Sequence, residues 1–277
     1  MTVHCGVLGD PIAHSLSPAL HRAGYAELGL SDWAYDAHRV ASGGLADFLA
    51  GLDEAWRGLS LTMPLKREAM ALVGSASDRA VMAGAANTLV FSWAGGGATV
   101  VGDNTDIPGA AAALRERYAG PVRRTAIWGG GATAASTLLA AAELGCREFD
   151  LLVRDPSRVA DTLAAARRFP EPLAVRVGGL GDPVEADLLV STIPAPPQES
   201  LVDSIVGVAA VFEVLYHPWP TPLARWADDA VPLVAGLDLL VHQAAVQFEL
   251  FTGSRAPLAA MRHAGEAALA ARIGETG

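Results

Sequence analysis

The chain has 277 residues, of which 51% are hydrophobic and 18% are charged, and its net charge is −10. This length predicts two domains or one large domain with a sizeable core. The negative charge argues against nucleic acid or an anionic membrane as a partner. No apolar run is long enough to span a bilayer, and the first twenty residues lack a secretory signal, so we expect a cytoplasmic protein. Cys5 and Cys146 provide neither a disulfide framework nor a metal cluster, and both are expected in the core.

The first hundred residues alternate between strand-like and helical segments. A helix is predicted from Ser17 to about Leu28, with Gly29 as its stop, and another helix starts near Lys66. Strands are predicted at 2–9, 33–40, 58–63, 86–93 and 97–106, a further helix at 45–52, and a hairpin turn at 94–97.

A long alanine-rich helix is predicted at 108–119, and Gly120 and Pro121 then break the chain. A second α/β series follows, in which a glycine-rich turn opens a helix that runs to Leu144. This βαβ order predicts a parallel sheet with helices on both faces. The predicted strands are at 125–128, 149–155, 175–177, 187–193, 210–216 and 231–236, and the last helices are at 237–253 and 256–274.

Two serines stand two positions apart in the stretch GDPIAHSLSP, residues 9–18. In one interpretation Ser17 caps the helix that begins there and Ser15 is a loop residue. In the other, the two hydroxyls together hold a small anion. The local sequence leaves both interpretations open.

The glycine-rich turn is the first motif with a chemical implication. Gly129, Gly131 and Ala134 fit the pattern G-x-G-x-x-A directly after a strand and at the start of a helix. Glycines there let the backbone approach a pyrophosphate, and the helix N-terminus supplies N–H donors. We therefore predict a dinucleotide site, with an unliganded tight turn as the alternative.

The end of the following strand bears on the choice of cofactor. Arg154 and Arg158 could clamp a ribose 2′-phosphate, which favours NADP. Asp155 could instead bind a ribose hydroxyl, which would favour NAD. A surface ion pair between these neighbours is a third interpretation, and we expect NADP.

Lys66 is the only lysine among the 20 basic residues. A lysine can lose its proton in a protein, whereas an arginine cannot, and the start of a helix favours that loss. Lys66 is therefore a candidate for proton transfer, with an ordinary surface lysine as the alternative. The stretch GDNTD, residues 102–106, offers a carboxylate partner, and we expect Asp106 to meet Lys66; Asp106 could also cap the next helix.

Seven stretches, taken in order, resemble the shikimate dehydrogenase family across nearly the whole chain. The resemblance implies reversible, NADPH-dependent reduction of 3-dehydroshikimate to shikimate in aromatic amino-acid biosynthesis, without a metal. It also implies an N-terminal α/β substrate domain (1–107), a Rossmann-type NADP-binding domain (108–236) and C-terminal helices (237–277) that return to the first domain. The stretches are GDPIAHSLSPALH, LSLTMPLK, GAANTL, GDNTD, GGGATAAS, YHPWPTPL and GLDLLVHQAAVQFELFTG.

The resemblance also implies roles for individual residues. Lys66 and Asp106 match the catalytic pair, and Ser15 and Ser17 match the serines that bind the substrate carboxylate. Further substrate-side positions are matched by Thr62, Asn87, Thr105, Tyr216 and Gln243. Cofactor-binding positions are matched by Gly129, Gly130, Gly131, Ala132, Arg154, Arg158, Thr192 and Gly236.

Two departures from the family pattern keep alternatives open. Many members have asparagine where this chain has Ser60, so one contact to a ring hydroxyl is expected to be lost or bridged by water. Asp155 motivates a second hypothesis, an NAD-preferring quinate/shikimate dehydrogenase. A third hypothesis is a non-catalytic cofactor-binding regulator, against which the retention of Lys66, Asp106 and Gln243 argues. A small-molecule substrate and a monomer or homodimer are expected.

Overall fold

The computed structural model of the protein describes residues 2–94, 97–227 and 231–275. The strands are β1 (Val3–Gly9), β2 (Trp33–Arg39), β3 (Trp56–Leu61), β4 (Ser75–Ala76), β5 (Thr88–Ala94), β6 (Gly97–Asp103), β7 (Arg124–Trp128), β8 (Glu148–Val153), β9 (Ala174–Gly179), β10 (Val184–Ser191), β11 (Ile205–Glu213) and β12 (Leu233–Val234). The helices are α1 (Ser17–Glu27), α2 (Leu45–Ala50), α3 (Leu65–Glu68), α4 (Asp78–Ala83), α5 (Asp106–Arg117), α6 (Ala132–Glu143), α7 (Ala160–Arg168), α8 (Ala195–Leu201), α9 (Pro222–Ala227), α10 (Gly236–Thr252) and α11 (Leu258–Glu275).

The chain forms two compact units. Unit 1 consists of residues 1–105 together with 241–277, and unit 2 consists of residues 106–240. Both are α/β structures, as the sequence predicts. No helix within the described ranges is long and apolar enough to cross a membrane.

Unit 1 contains a mixed sheet with the strand order β2-β1-β3-β5-β6-β4. The first three strands are parallel, and β5 runs antiparallel to both β3 and β6. As a result, the ends of β1, β3 and β6 and the start of β5 lie along one edge of the sheet. A buried cluster that includes Leu8, Leu59, Leu61 and Leu89 forms a core against this sheet, and full burial of each such side chain contributes about 1.5–3 kcal/mol.

The C-terminal helices α10 and α11 contribute to unit 1. Helix α11 packs against α1. Gly24 of α1 lies directly against the ring of Phe248 in α10, where a Cβ atom would come within 2.7 Å of the ring. Gly58 of β3 lies similarly close to Phe251. Glycine at these two positions therefore allows the last helices to approach the first elements of the chain.

Unit 2 contains a parallel sheet with the strand order β12-β11-β10-β7-β8-β9. The order reverses between β7 and β10, which is the arrangement of a doubly wound dinucleotide-binding sheet. Its core includes Trp128, Leu152, Leu189 and Val211. The predicted parallel sheet is confirmed.

Several element boundaries differ from the predictions. The helix after Pro64 is only four residues long and continues as a 3-10 turn at Ala69–Ala71. Helix α5 starts at Asp106 instead of 108, and β11 ends at Glu213, so 214–216 lie outside it. The short β4 and α4 were not predicted. The proposed hairpin turn at 94–97 includes residues 95–96, which lie outside the described residues.

Candidate active site

The predicted substrate-side residues of unit 1 follow the strands that end along one sheet edge. Thr62 comes directly after β3, and its backbone N–H donates to the carbonyl of Leu8 at 2.9 Å. Lys66 is half-buried in α3, and its carbonyl accepts from the N–H of Ala86 at 2.8 Å. This bond ties the backbone of the only lysine to the segment that carries Asn87.

Asn87, Thr105 and Gln243 meet in one buried cluster, although they come from distant parts of the chain. The backbone N–H of Thr105 donates to Asn87 Oδ1 at 2.7 Å, and Asn87 Nδ2 donates to Thr105 Oγ1 at 2.9 Å. Asn87 Nδ2 also lies 3.4 Å from Gln243 Oε1. Because a backbone N–H can only donate, it fixes the orientation of the Asn87 amide. Because Asn87 Nδ2 faces Gln243 Oε1, the NH₂ group of Gln243 points away from Asn87.

The two serines occupy the junction between β1 and α1. Ser17 is the first residue of α1 and is not its cap, since Leu16 holds that position without a side-chain hydrogen bond. The hydroxyl of Ser15 instead accepts the N–H of Ser17 at 3.3 Å. Arg272 of α11 donates to the carbonyls of His14 and Ser15, the latter at 3.3 Å. The capping interpretation of Ser17 is therefore wrong, and the serine loop is held from the C-terminal helix.

The two carboxylates of GDNTD have different environments. Asp103 is buried and accepts from Arg79 at 2.6 Å, from the Ser77 hydroxyl at 2.5 Å and from the Asn104 N–H at 2.7 Å. These bonds hold the turn that carries Thr105. Asp106 is also buried and is the first residue of α5 in unit 2, so its pairing with Lys66 stays a prediction.

Three further residues of unit 1 were not identified from the sequence as a cluster. Ser60, in the place of the usual asparagine, is 4% exposed and donates to Gln247 Oε1 at 2.7 Å. Its oxygen lies 2.5 Å from the hydroxyl of Tyr35. Gln247 follows Gln243 by four positions, so both project from one side of α10. That spacing was the available signal for Gln247.

The glycine turn of unit 2 joins β7 to α6. Gly129 has a positive φ of 114° and lies against Thr192, whose hydroxyl donates to the carbonyl of Trp128 at 2.9 Å. Gly131 precedes the first turn of α6, and a Cβ atom there would meet nothing within 4 Å. This open position, next to the free N–H groups of a helix N-terminus, fits the approach of a dinucleotide pyrophosphate.

The end of β8 presents Arg154, Asp155 and Arg158 to solvent. The carboxylate of Asp155 accepts from the backbone N–H of Ser157 at 3.0 Å and from its hydroxyl at 2.7 Å, which caps a 3-10 helix. These bonds to Ser157, with the nearby arginines, lower the pKa of Asp155. Asp155 thus has a local structural role, while the two arginines leave a positively charged strand end that fits a 2′-phosphate.

Tyr216 and Gly236 lie near the ends of β11 and β12. Buried Glu213, the last residue of β11, accepts from the Leu215 N–H and the Thr221 hydroxyl, both at 3.0 Å, and so anchors the loop that contains Tyr216. Burial raises the pKa of the Glu213 carboxyl. A Cβ atom on Gly236 would collide with the backbone of Leu215, so this glycine has a packing role in addition to its predicted one.

Two family models match parts of the chain. A model of the shikimate dehydrogenase substrate binding domain matches residues 7–89, and a model of the shikimate 5'-dehydrogenase C-terminal domain matches residues 236–264. The shikimate dehydrogenase (NADP(+)) of Moorella thermoacetica is 34% identical over 92% of this chain and 90% of its own length. The chain belongs to the shikimate dehydrogenase family.

Solved structures of shikimate dehydrogenases resemble the whole chain. The Mycobacterium tuberculosis enzyme has 37% identity and a TM-score of 0.83, over 97% of this chain and 99% of its own. The Thermus thermophilus shikimate 5-dehydrogenase, crystallised with NADP(H) and shikimate, has 30% identity and a TM-score of 0.83, over 96% of this chain and 100% of its own.

The chain also matches part of some much longer shikimate dehydrogenase relatives. It is 30% identical to a pentafunctional AROM polypeptide of Scheffersomyces stipitis over 92% of this chain, yet it spans only 18% of that protein's length. The family membership therefore rests on the relatives of similar length.

Proposed function

We propose that the protein is an NADP-dependent shikimate dehydrogenase, which reversibly reduces 3-dehydroshikimate to shikimate in aromatic amino-acid biosynthesis. The observation that carries this proposal is the buried cluster of Asn87, Thr105 and Gln243, on the sheet edge that also holds Lys66. Amides with backbone-fixed orientation suit a substrate with several ring hydroxyls, because each hydroxyl needs both a donor and an acceptor.

We propose that unit 1 is the substrate domain and unit 2 the NADP-binding domain. The predicted boundaries after residues 107 and 236 lie close to the limits of unit 2, which are 106 and 240. The doubly wound sheet of unit 2 supports its part of the proposal.

Substrate binding is assigned to neutral donors and acceptors. Ser15 and Ser17 bind the carboxylate, because their hydroxyls and the start of α1 favour an anion without a buried cation. The cluster of Asn87, Thr105 and Gln243 binds the ring hydroxyls. Thr62 and Tyr216 are assigned to further contacts with the substrate.

Catalysis in both directions requires a group that can donate a proton and take it back. Lys66 gives a proton to the keto oxygen during reduction and takes it back during oxidation, and Asp106 orients the lysine and balances its charge. NADPH, when bound, supplies the hydride for the carbon that carries this oxygen. One hydride and one proton convert the ketone into the alcohol, which balances the reaction.

The cofactor is assigned to unit 2. The turn from Gly129 to Ala132 and the N-terminus of α6 hold the pyrophosphate. Thr192 follows β10, the neighbour of β7, and Gly236 follows β12 at the edge of the same sheet; both are assigned to further contacts with the cofactor. Arg154 and Arg158 bind the 2′-phosphate that distinguishes NADP from NAD. The bonds of Asp155 to Ser157 support this assignment over the NAD-preferring alternative.

The test is a set of initial rates at 340 nm, with shikimate and quinate each combined with NADP⁺ and NAD⁺. We expect the highest kcat/KM for shikimate with NADP⁺. A preference for NAD⁺, or comparable turnover of quinate, would favour the quinate/shikimate alternative. Failure of all four combinations would contradict the proposed activity and favour a non-catalytic role.

A further inference from the structure

Glu213, the last residue of β11, is a fully buried carboxylate whose hydrogen bonds reach both ends of one loop. Its Oε1 accepts from the backbone N–H of Leu215 at 3.0 Å. Its Oε2 accepts from the hydroxyl of Thr221 at 3.0 Å and from Gln198 Nε2 at 2.7 Å. These three donors are neutral. A buried charge is costly unless donors replace the water around it, and here both oxygens have such donors.

Backbone groups determine that all three partners donate. The N–H of Leu223 donates to Gln198 Oε1 at 3.1 Å, so the NH₂ group of Gln198 faces Glu213. The N–H of Ala224 donates to the hydroxyl oxygen of Thr221 at 3.1 Å, and the Thr221 proton is left for Glu213. Burial raises the pKa of the Glu213 carboxyl, and the three donors act against that increase. Because every partner offers a proton, the site matches a carboxylate ion better than a neutral amide.

The loop that this carboxylate closes lies between β11 and α9. Leu215 stands near its beginning, and Thr221 is its last residue before α9. Residues 214–221 lie outside the helices and strands, so their backbone depends on individual hydrogen bonds. Tyr216, which is assigned to contact with the substrate, follows Leu215 directly. The Glu213 side chain therefore holds the loop both before and after Tyr216.

Gly236 also contacts the beginning of this loop. A Cβ atom on Gly236 would lie 2.4 Å from the carbonyl oxygen of Val214 and 2.5 Å from that of Leu215. The backbone of Leu215 is thus packed against Gly236 and is hydrogen-bonded to Glu213 through its N–H. All of these residues belong to unit 2. Without the carboxylate, the packing against Gly236 would remain, but the N–H of Leu215 would lose its acceptor.

We propose that Glu213 is a positioning residue, whose negative charge holds the loop of Tyr216 in the conformation that binds the substrate. This inference rests on the proposed function, because it takes Tyr216 as a contact to shikimate. It makes the charge necessary, since an uncharged side chain of equal size cannot accept all three hydrogen bonds.

Glu213→Gln tests this requirement with almost no change in size. One acceptor becomes an NH₂ group that faces a donor, so the loop loses one of its attachments. The KM for shikimate should rise about five- to twentyfold, with less than about a twofold change in kcat. The Kd of NADPH, measured by its fluorescence on binding, should change by less than about twofold, because the phosphates are assigned to α6 and to the end of β8. An unchanged KM in folded Glu213→Gln would overturn the proposal.

An exchange of acid and amide separates the need for a charge from a loss of packing. Glu213→Gln/Gln198→Glu moves the carboxylate across the 2.7 Å contact and keeps one charge among the same donors. This double variant should return the KM to within about threefold of the wild type. Gln198→Glu alone places two carboxylates together and should raise the KM at least as much as Glu213→Gln. A KM that stays high in a stably folded double variant would contradict the proposal.

Two further substitutions examine the route through the loop. In a Tyr216→Ala background, Glu213→Gln should raise the KM by less than about a further twofold, since Glu213 acts through Tyr216; additive effects would overturn the proposal. If Glu213→Gln does not fold, Thr221→Val removes one donor with little change in shape. It should raise the KM about two- to fivefold, and an unchanged KM would count against the proposal.

Asp187→Asn is the matched control in the same unit. The carboxylate of Asp187 accepts from the backbone N–H groups of Arg123 and Arg124 at 2.8 and 3.0 Å, at the start of β7. Its KM for shikimate should stay within about twofold of the wild type. A rise equal to that of Glu213→Gln would indicate general destabilisation and overturn the proposal. The wild-type rate separates the two proposals, because a wild-type protein inactive on shikimate contradicts the proposed function itself.

Discussion

The polar residues of unit 1 and those at the end of β8 in unit 2 differ in burial and in charge. In unit 1, Asn87, Gln243 and Gln247 are buried and neutral, and backbone groups orient the amides of Asn87 and Gln247. In unit 2, Arg154 and Arg158 are exposed and charged. Buried amides are coupled to the packing around them, whereas exposed arginines are not. A change of cofactor preference should therefore cost less stability than a change of substrate preference.

The largest expected effect is at Lys66, which is charged, unlike the proposed substrate-binding residues of unit 1. Lys66→Ala should lower kcat by about 10²–10⁴-fold, because the proton donor is lost, with a smaller change in shikimate affinity. Initial rates at 340 nm and direct binding measurements check the two quantities.

Lys66→Arg is the matched control for this prediction. Arginine keeps the positive charge but cannot release its proton, so kcat should remain close to that of Lys66→Ala. Near-normal turnover of either variant would contradict the assignment of proton transfer to Lys66.

The next effect concerns the stability of unit 1. Gln247→Leu removes one hydrogen bond each from the carbonyl of Asn87 and from the hydroxyls of Ser60 and Thr88. The loss of three buried bonds should lower the free energy of unfolding by about 2–4 kcal/mol. The free energies of unfolding of Gln247→Leu and Arg154→Gln, measured by urea denaturation, compare the two regions directly. Arg154→Gln should stay within about 0.5 kcal/mol of the wild type, and similar losses in both would show that burial does not separate the two regions.

Cofactor preference should change through the exposed residues alone. The double variant Arg154→Gln/Arg158→Gln should lower kcat/KM for NADP⁺ about ten- to a hundredfold, because charge-assisted bonds to the 2′-phosphate are lost. The kcat/KM for NAD⁺ should hardly change, which gives an internal control. An equal decrease with both cofactors would place these arginines elsewhere in the mechanism.

A further expected effect, which develops gradually with pH, is the pH dependence of stability caused by His21. Burial lowers the pKa of His21 to about 3, while an unfolded histidine has a pKa of about 6.5. Between these values only the unfolded state binds the proton, so stability is full above pH 6.5 and falls by about 1.4 kcal/mol per pH unit below it. His21→Phe should remove this slope in unfolding measurements from pH 7 to pH 4; an unchanged slope would assign it to other groups.

Much of the fold could be predicted from local sequence, and the exceptions are short or depend on distant contacts. The parallel sheet of unit 2 follows from a regular series of apolar strands and helices. Strand β4 has only two residues, too few for a periodic pattern. Helix α4 did carry signals, since Ser77 caps it through the N–H of Ala80 and Gly84 ends it with a φ of 63°.

The candidate site was harder to predict than the fold because its partners are far apart in the chain. The residue type identified Lys66 as a candidate, and the family resemblance implied Asn87 and Gln243. Ser60 and Gln247, in contrast, are separated by 187 positions. No local pattern shows that they meet. One compositional signal was available, since the chain has only five amide side chains and the structure buries them all. They are Asn87, Asn104, Gln198, Gln243 and Gln247.

The discontinuity of unit 1 has a consequence for the order in which a ribosome makes the protein. Residues 1–105 emerge before residues 241–277, which belong to the same unit. During synthesis, Gly24 and Gly58 therefore lack their packing contacts until Phe248 and Phe251 have been made. Residues 106–240 are complete earlier and can fold while the first segment is still unfinished. The nascent chain thus exposes part of the hydrophobic core of unit 1 until residues 241–277 have been made, and a chaperone could bind it in that interval.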